Sequence, residues 1–424
     1  MERTTCCVVG GGPAGMMLGL LLARAGVPVT VLEKHGDFLR DFRGDTVHPS
    51  TLTLLDELGL GEAFAKLPHR LIERASIQFE TGLVQIIDFR WIPGPHKHLA
   101  LVPQWDFLDL LAEAGRAEPA FTLRMNTEAT GLLIEAGVVR GVRYRCADGR
   151  VGQLRADLTV ACDGRHSVLR QAAKLEVRSF GVPMDVWWFR LPRREEDPQG
   201  LVGRVGSGHA LVLIDRDSYF QCGYLIRKGS DAVLRAGGIE AFRHRVAALM
   251  PWLADRLSAV RDWGDVALLE VRLDRLRRWS TPGLLCVGDA AHAMSPVGGV
   301  GINLAIQDAV AAARLLAGSL CRGTLTRADL DRVQLRRWAP AALTQALQRV
   351  IHARLLVPVL SGGASFSQAT PSSLPLPLWL LQRFPILQAV PAMVVGIGLL
   401  PEHAPAFAAR GGSSSATNPP PGRR

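Results

Sequence analysis

No two of the seven cysteines stand in a Cys-x-x-Cys pair, their number is odd, and Cys6, Cys7, Cys162 and Cys286 fall within apolar runs. This speaks against a disulfide framework or a thiolate metal site and leaves reduced packing thiols. His96-Lys97-His98 has no acidic or thiolate neighbour in the sequence to complete a metal site, so it reads as an exposed turn and no metal is expected. No Ser-His-Asp, Cys-His or paired-carboxylate arrangement emerges either, and no catalytic side chain is assigned. Basic clusters such as Arg275-Leu-Arg-Arg278 and Arg193-Arg194 are short and lack interleaved aromatics, so the net charge of +10 reads as solvated basic faces rather than nucleic-acid binding. A secretory leader is missing too. Strand-forming residues begin at Thr5 and glycines follow at once, which makes the cytoplasm the expected compartment.

What is present starts with Thr5-Cys-Cys-Val-Val9, an apolar run leading directly into Gly10-Gly-Gly-Pro-Ala-Gly15. The pattern is Gly-x-Gly-x-x-Gly between a strand and a helix. Gly10 permits the tight turn, Gly12 lets backbone approach a pyrophosphate, and Gly15 lets the helix pack closely on the strand. Pro13 suits a first helical turn, Met16–Ala25 is an apolar helix, Gly26 stops it, and Val29–Leu32 is a second strand ending in Glu33. Glu33 lies 18 residues past Gly15, where a carboxylate can accept from a ribose diol while the helix N-terminus holds phosphates. The segment predicts a dinucleotide site, and FAD and NAD satisfy it equally.

Two later segments add to this. Leu158-Thr-Val-Ala161 is a strand running into Asp163-Gly-Arg-His-Ser-Val-Leu-Arg170, the pattern Asp-Gly-x-x-Ser-x-x-Arg; a capped helix after a turn would explain Asp163 and Ser167 but not Arg170. Gly283–Val287 is another strand, ended by Gly288-Asp289, and Asp289 is poised to accept from the hydroxyls of a ribityl chain. Pro296–Gly301 is a loop with three glycines whose backbone can lie against something flat, and it feeds a helix from Ile302 to Leu316. The positive end of such a helix stabilises the negative charge of a reduced flavin ring.

These three motifs, in this order, resemble those of the single-component flavin-dependent aromatic hydroxylases, the para-hydroxybenzoate hydroxylase group, which includes ubiquinone-pathway hydroxylases. The similarity spans residues 1 to about 320. Arg43-Gly-Asp-Thr-Val-His-Pro-Ser-Thr-Leu52 and Gln104 in Val102–Leu111 also match, a surface arginine and a helix-capping glutamine being the other readings of Arg43 and Gln104. The resemblance implies that FAD is held by Gly10, Gly12, Pro13, Ala14, Gly15, Glu33 and Lys34, with Arg43 and Gln104. It implies further contacts from Asp163 and Gly164, and from Gly288, Asp289, Pro296, Gly299, Gly301, Ile302 and Asn303. It also implies a reaction in which NADH or NADPH reduces FAD, dioxygen adds to the reduced ring, and the resulting hydroperoxide gives one oxygen atom to an apolar aromatic, polyprenyl or polyketide-like molecule.

The expected fold class is α/β, a Rossmann-like FAD-binding domain of the glutathione-reductase type with an inserted antiparallel sheet and a helical C-terminal region. FAD-domain segments are expected at 1–72, 100–180 and 268–330, a substrate-binding sheet at 73–99 and 181–267, a C-terminal cover at 331–409, and a disordered tail at 410–424. The sheet includes a hairpin over 75–91 through Thr81-Gly82 and strands Met184–Leu191, Ala210–Asp215 and Tyr219–Ile226, followed by a helix Ile239–Leu257. Asp329–Leu355 reads as helix and Ser361–Ser373 as a polar linker. Phe384–Pro401 runs 18 residues without a charge, but Pro385, Gln388 and Pro391 weaken a membrane span; residues 375–401 read instead as a cover over the substrate pocket, with shallow membrane contact as the second reading.

A second Gly-x-Gly-x-x-Gly is absent, so a nicotinamide reductant would visit transiently, drawn in part by the basic charge. Candidates for the acceptor pocket are Trp187, Phe189, Tyr224 and His48, each equally readable as core or sheet face. Two other functions stand beside oxygen transfer. One is a flavin reductase, dehydrogenase or halogenase, although neither a Trp-x-Trp-x-Ile-Pro segment nor a suitably placed lysine is present; the other is a flavin carrier, for which an inserted sheet has no use.

Overall fold

The computed structural model describes residues 2–39, 46–79, 82–206, 208–362 and 376–410. Arg43, the turn residue Thr81, most of the Ser361–Ser373 linker and the tail from Gly411 lie outside them. Strand Glu2–Val9 sits in the middle of a parallel sheet, pairing with Val29–Leu32 on one edge and Val151–Ala161 on the other. Phe121–Arg124 extends the sheet beyond Val29–Leu32, and Leu284–Cys286 extends it beyond Val151–Ala161. The uninterrupted apolar runs follow from this position, since central parallel strands are covered on both faces, and Cys6, Cys7, Val8 and Val31 are fully buried. The strand expected at Leu158 starts seven residues earlier, at Val151. Its first half carries an antiparallel hairpin, Thr127–Glu135 with Val138–Cys146, on the edge that Leu284–Cys286 takes over further along. That hairpin and Phe121–Arg124 are additions to the expected strands, because their alternating polar residues give no continuous apolar signal.

Helix Pro13–Arg24 packs between helices Gln104–Arg116 and Gly301–Arg322. The segment Val297–Arg322 is the one stretch among the described residues long and apolar enough to cross a membrane, yet it is mostly buried as a core element. Residues 376–396 form two short helices, Leu376–Arg383 and Ala389–Gly396, separated by a turn at Pro385.

The second sheet has seven strands, in the order Ala267–Leu269, Met184–Pro192, Tyr219–Arg227, His209–Asp215, Leu201–Gly206, Arg74–Phe79 and Gly82–Asp88. All neighbours are antiparallel except Leu201–Gly206 with Arg74–Phe79. One face is covered by helix Gly238–Leu249, which ends earlier than expected because Pro251 starts a separate tight-helical stretch, Pro251–Ala259.

This packing corrects the acceptor-pocket candidates. Trp187, Phe189 and Tyr224 all point towards the helix, where they pack with Phe242 and Val246 in a closed core. Trp187 donates to Asp231 at 2.6 Å, and the Tyr224 hydroxyl meets His209 Nδ1 at 2.6 Å. Side chains alternate along a strand, so the residues one step over, Val186, Trp188, Val212 and Leu225, occupy the opposite face. There they meet Val297 of the glycine loop on one side and Ala392 and Val395 of helix Ala389–Gly396 on the other.

Candidate functional site

The glycine fingerprint has the geometry its spacing requires. Gly10 adopts φ +107°, and a Cβ on it would stand 2.3 Å from the Cys162 carbonyl oxygen. A Cβ on Gly15 would stand 1.9 Å from the Gly10 carbonyl oxygen, so only hydrogen fits between helix and strand. Gly12 is different: nothing lies within 4 Å of where its Cβ would be. No side chain caps helix Pro13–Arg24 and no acidic residue enters its first turn, so free N–H groups and the positive end of the helix stand beside that open space. Glu33 is buried at the end of its strand and accepts from the Gly11 N–H at 2.9 Å and the His35 N–H at 3.1 Å. Lys34 next to it is exposed.

The second and third motifs close on the first. Gly10 abuts Cys162 and Asp163, and Gly288 is wedged where a Cβ would meet Ala14 at 3.3 Å and Ala305 at 3.2 Å. Arg170 links the two later motifs: it donates to the Arg165 carbonyl at 2.6 Å and the Ala290 carbonyl at 3.3 Å, with Asp274 at 3.5 Å. This accounts for an arginine at that motif position, as a clamp between loops. Arg165 in turn lies 3.6 Å from the Asp289 carboxylate. Asp163 accepts from the Leu169 N–H at 3.2 Å through one oxygen, while the other is buried with no partner among the described residues. Burial raises this carboxyl above the usual carboxylate range against the hydrogen bonds that favour its charge. An orphaned carboxylate oxygen, an uncapped helix end and a neighbouring open space together fit a dinucleotide rich in hydroxyls and phosphates. Gly164, at φ +80°, has open space around it as well.

The glycine loop is held from three sides. Gln348 donates to the carbonyls of Ser295 and Val297, both at 2.9 Å, and His352 meets the Ser295 hydroxyl at 2.9 Å, just before Pro296. A Cβ on Gly299 would stand 2.9 Å from Thr46 Oγ1. Gly301 opens helix Gly301–Arg322, which also lacks a side-chain cap and an acidic first turn; Ile302 is half-buried, and Asn303 accepts from Ser50 at 3.0 Å and Thr51 at 2.6 Å. Gln104 opens its own helix and is buried, directly after strand Leu99–Leu101, which pairs with Thr46–Val47. The stretch containing His48 and the Gln104 helix are thus brought together, although the sequence separates them. His96, read as lacking an acidic partner, meets Asp56 at 2.6 Å across 40 residues of chain.

His48 is fully buried between two carbonyl oxygens, that of Val395 at 2.7 Å from Nδ1 and that of Gly299 at 3.0 Å from Nε2. In its neutral form it donates to one of the two at a time, standing between the C-terminal segment and the glycine loop. Burial dominates its titration and holds its pKa below 6.5 despite both carbonyls, and burial acts in the same direction on His352. A depressed histidine pKa means that on acidification the unfolded chain takes up the proton first. Stability is therefore complete above pH 6.5 and is lost as pH falls through the folded-state values, by up to about 1.4 kcal/mol per pH unit for each such group. Urea titrations from pH 8 to pH 5 should show this decline, and His48→Gln should make it shallower. An unchanged pH slope in that variant would remove His48 from the account.

A buried charged group that no local motif signals lies behind the third motif. Asp308, fully buried, accepts from the Gly288 N–H at 3.1 Å and from Arg337 at 3.1 Å, and meets His292 at 2.5 Å. Arg337, also buried, donates to the Leu400 carbonyl at 3.1 Å and lies 3.7 Å from buried Glu402. The network fixes the Gly288 turn against the core helix, the long helix Arg327–Ile351 and the C-terminal segment.

Comparison with known proteins agrees with this geometry. Residues 3–346 match the family described as FAD binding domain. The chain is 37% identical over 340 residues to 6-methylpretetramide 4-monooxygenase of Streptomyces rimosus, covering 79% of this chain and 80% of that protein. Among solved structures it is similar to OxyS anhydrotetracycline hydroxylase from the same organism, with TM-score 0.73, 22% identity and coverage of 93% of this chain and 76% of that one. It shares its fold equally with the flavin-dependent brominase Bmp2, at TM-score 0.75, 16% identity and coverage of 93% and 94%. The chain belongs to the FAD-binding-domain family and is an FAD-dependent monooxygenase.

Proposed function

We propose that this monooxygenase hydroxylates a fused-ring aromatic of the polyketide type, drawing electrons from NADH or NADPH. The observation that carries the reading is the seating of Gly288 between Ala14 and Ala305 with Gly10 against Cys162, because it makes one long site of three remote motifs. In this reading the phosphates of FAD lie by Gly12, Pro13, Ala14 and Gly15, and Glu33 with Lys34 flanks the adenosine end. Asp163, Gly164, Gly288 and Asp289 would hold the sugar-alcohol chain, and Pro296, Gly299, Gly301, Ile302 and Asn303, with Gln104, would surround the ring. FAD, when bound, supplies the redox chemistry and the activation of dioxygen.

The protein's own part is positional. His48 stands between the C-terminal segment and the glycine loop, and the apolar side chains of Val186, Trp188, Leu225 and Val297 make the contact between loop and sheet a dry one. That face is apolar, which suits fused rings, and the named relative at 37% identity acts on 6-methylpretetramide. Halogenation has only a shared fold in its favour, and the 16% identity to the brominase carries no more than that. Residues 375–401 remain a candidate for shallow contact with a lipid surface, since Trp379, Phe384, Ile386 and Val390 are exposed on the cover.

The test is oxidation of NADH and of NADPH by the yellow protein with 6-methylpretetramide, a simple phenol and a polyprenyl phenol, while oxygen uptake and hydrogen peroxide are followed. The expected result is stimulation by the fused-ring compound with little peroxide. Stimulation accompanied by stoichiometric peroxide, or a clear preference for the polyprenyl phenol, would overturn the reading.

A further inference from the structure

Trp188 lies on the sheet face that looks towards the glycine loop and the cover. Its indole rests on the neighbouring strand at Gly223, where a Cβ would stand 3.0 Å from the ring, and Gly223 is its register partner. Glycine at that position lets the ring lie flat. The ring packs against two apolar groups at once, one with Phe89, Ile214 and Ala392 and the other with Met184, Val186 and Leu356. Its Nε1 is buried and has no hydrogen-bond partner among the described residues.

An indole N–H kept from water without an acceptor is unfavourable by about 1–3 kcal/mol, and buried tryptophans normally find a partner. Trp187, one residue away on the other face, has one in Asp231. Gln221 repeats the feature on the Trp188 face: its Oε1 accepts from Arg216 at 3.3 Å, while its Nε2 is buried and unpartnered. The Trp188 N–H is thus a free donor among aliphatic side chains.

We infer that Trp188 Nε1 donates a hydrogen bond to a phenol or carbonyl oxygen of the bound aromatic, making Trp188 a specificity residue that selects oxygenated over bare fused rings. The inference rests on the fused-ring reading above. A site built around a buried donor discriminates strongly against an analogue without the matching oxygen, because the donor then stays unpaired.

The test uses oxidised holoenzyme and two probes that differ by one hydroxyl, 1-naphthol and naphthalene, with binding followed by perturbation of the flavin absorption. Wild type should prefer 1-naphthol. Trp188→Phe, which keeps an aromatic ring but removes the N–H, should weaken 1-naphthol about tenfold and leave naphthalene within about twofold. Trp187→Phe should lower thermal stability and leave the ratio of the two affinities unchanged. Equal weakening of both probes by Trp188→Phe, or no weakening of either, overturns the inference alone. Failure of both probes to bind wild type overturns the fused-ring reading and the inference together.

Discussion

A Gly12→Ala variant folds as stably as its parent and emerges from purification without yellow colour. The backbone at Gly12 is extended, with φ −77° and ψ −176°, a conformation alanine adopts freely, and its methyl group would touch no protein atom within 4 Å. The folded protein therefore loses nothing. The methyl group instead occupies the space beside the uncapped helix end, where phosphates have to come within hydrogen-bond distance of the backbone. Gly15→Ala should lose the colour by another route. Its methyl group would stand 1.9 Å from the Gly10 carbonyl oxygen, so helix and strand must separate, at a cost of about 1–3 kcal/mol in stability. The ratio of flavin to protein absorbance and the unfolding midpoint of the flavin-free proteins tell the two apart. Full flavin occupancy in Gly12→Ala would mean that the open space does not belong to the cofactor.

That contrast also shows why the cofactor motifs were legible. The turn at Gly10, the strand ends at Glu33 and Asp163 and the glycines of 296–301 are local features, each set by residues within a few positions of one another. Family, fold class and oxygenase chemistry followed from them. What escaped was decided at a distance. Trp187 and Trp188 are both aromatic and both in a strand, and nothing local says which one faces the helix; the covering by Phe242 and Val246 decides it. Gln348 and His352, which hold the start of the glycine loop, lie more than 50 residues beyond Ser295, at the end of helix Arg327–Ile351 and just past it, and nothing near them in the sequence points to that loop. The end of helix Gly238–Leu249 was misplaced for a more local reason, since its apolar spacing continues past Pro251 although the backbone does not.

Arg337→Met should be the most damaging single change outside the glycine turn. In the parent, burial works against ionisation of Asp308, but His292, Arg337 and the Gly288 N–H together hold its carboxyl below the usual range. Removing the guanidinium leaves Asp308 buried with one cation fewer, and leaves Glu402 without one of its three arginine neighbours. Breaking a buried ion pair from one side costs about 3–5 kcal/mol, because an uncompensated charge stays behind. Since Asp308 also fixes the Gly288 turn, flavin affinity should fall along with stability. The pH dependence separates lost charge from lost packing. A depressed carboxyl contributes stability that is present above its ordinary value of 3.8 and fades as pH falls through the folded-state value. Without Arg337 that depression weakens, so the gap in stability between parent and variant should hold steady down to pH 3.8 and narrow as pH falls below it. Adding Asp308→Asn should recover part of the loss, giving a double variant less impaired than the sum of the two single ones. Strict additivity with a gap independent of pH would instead reduce Arg337 to a space-filling side chain.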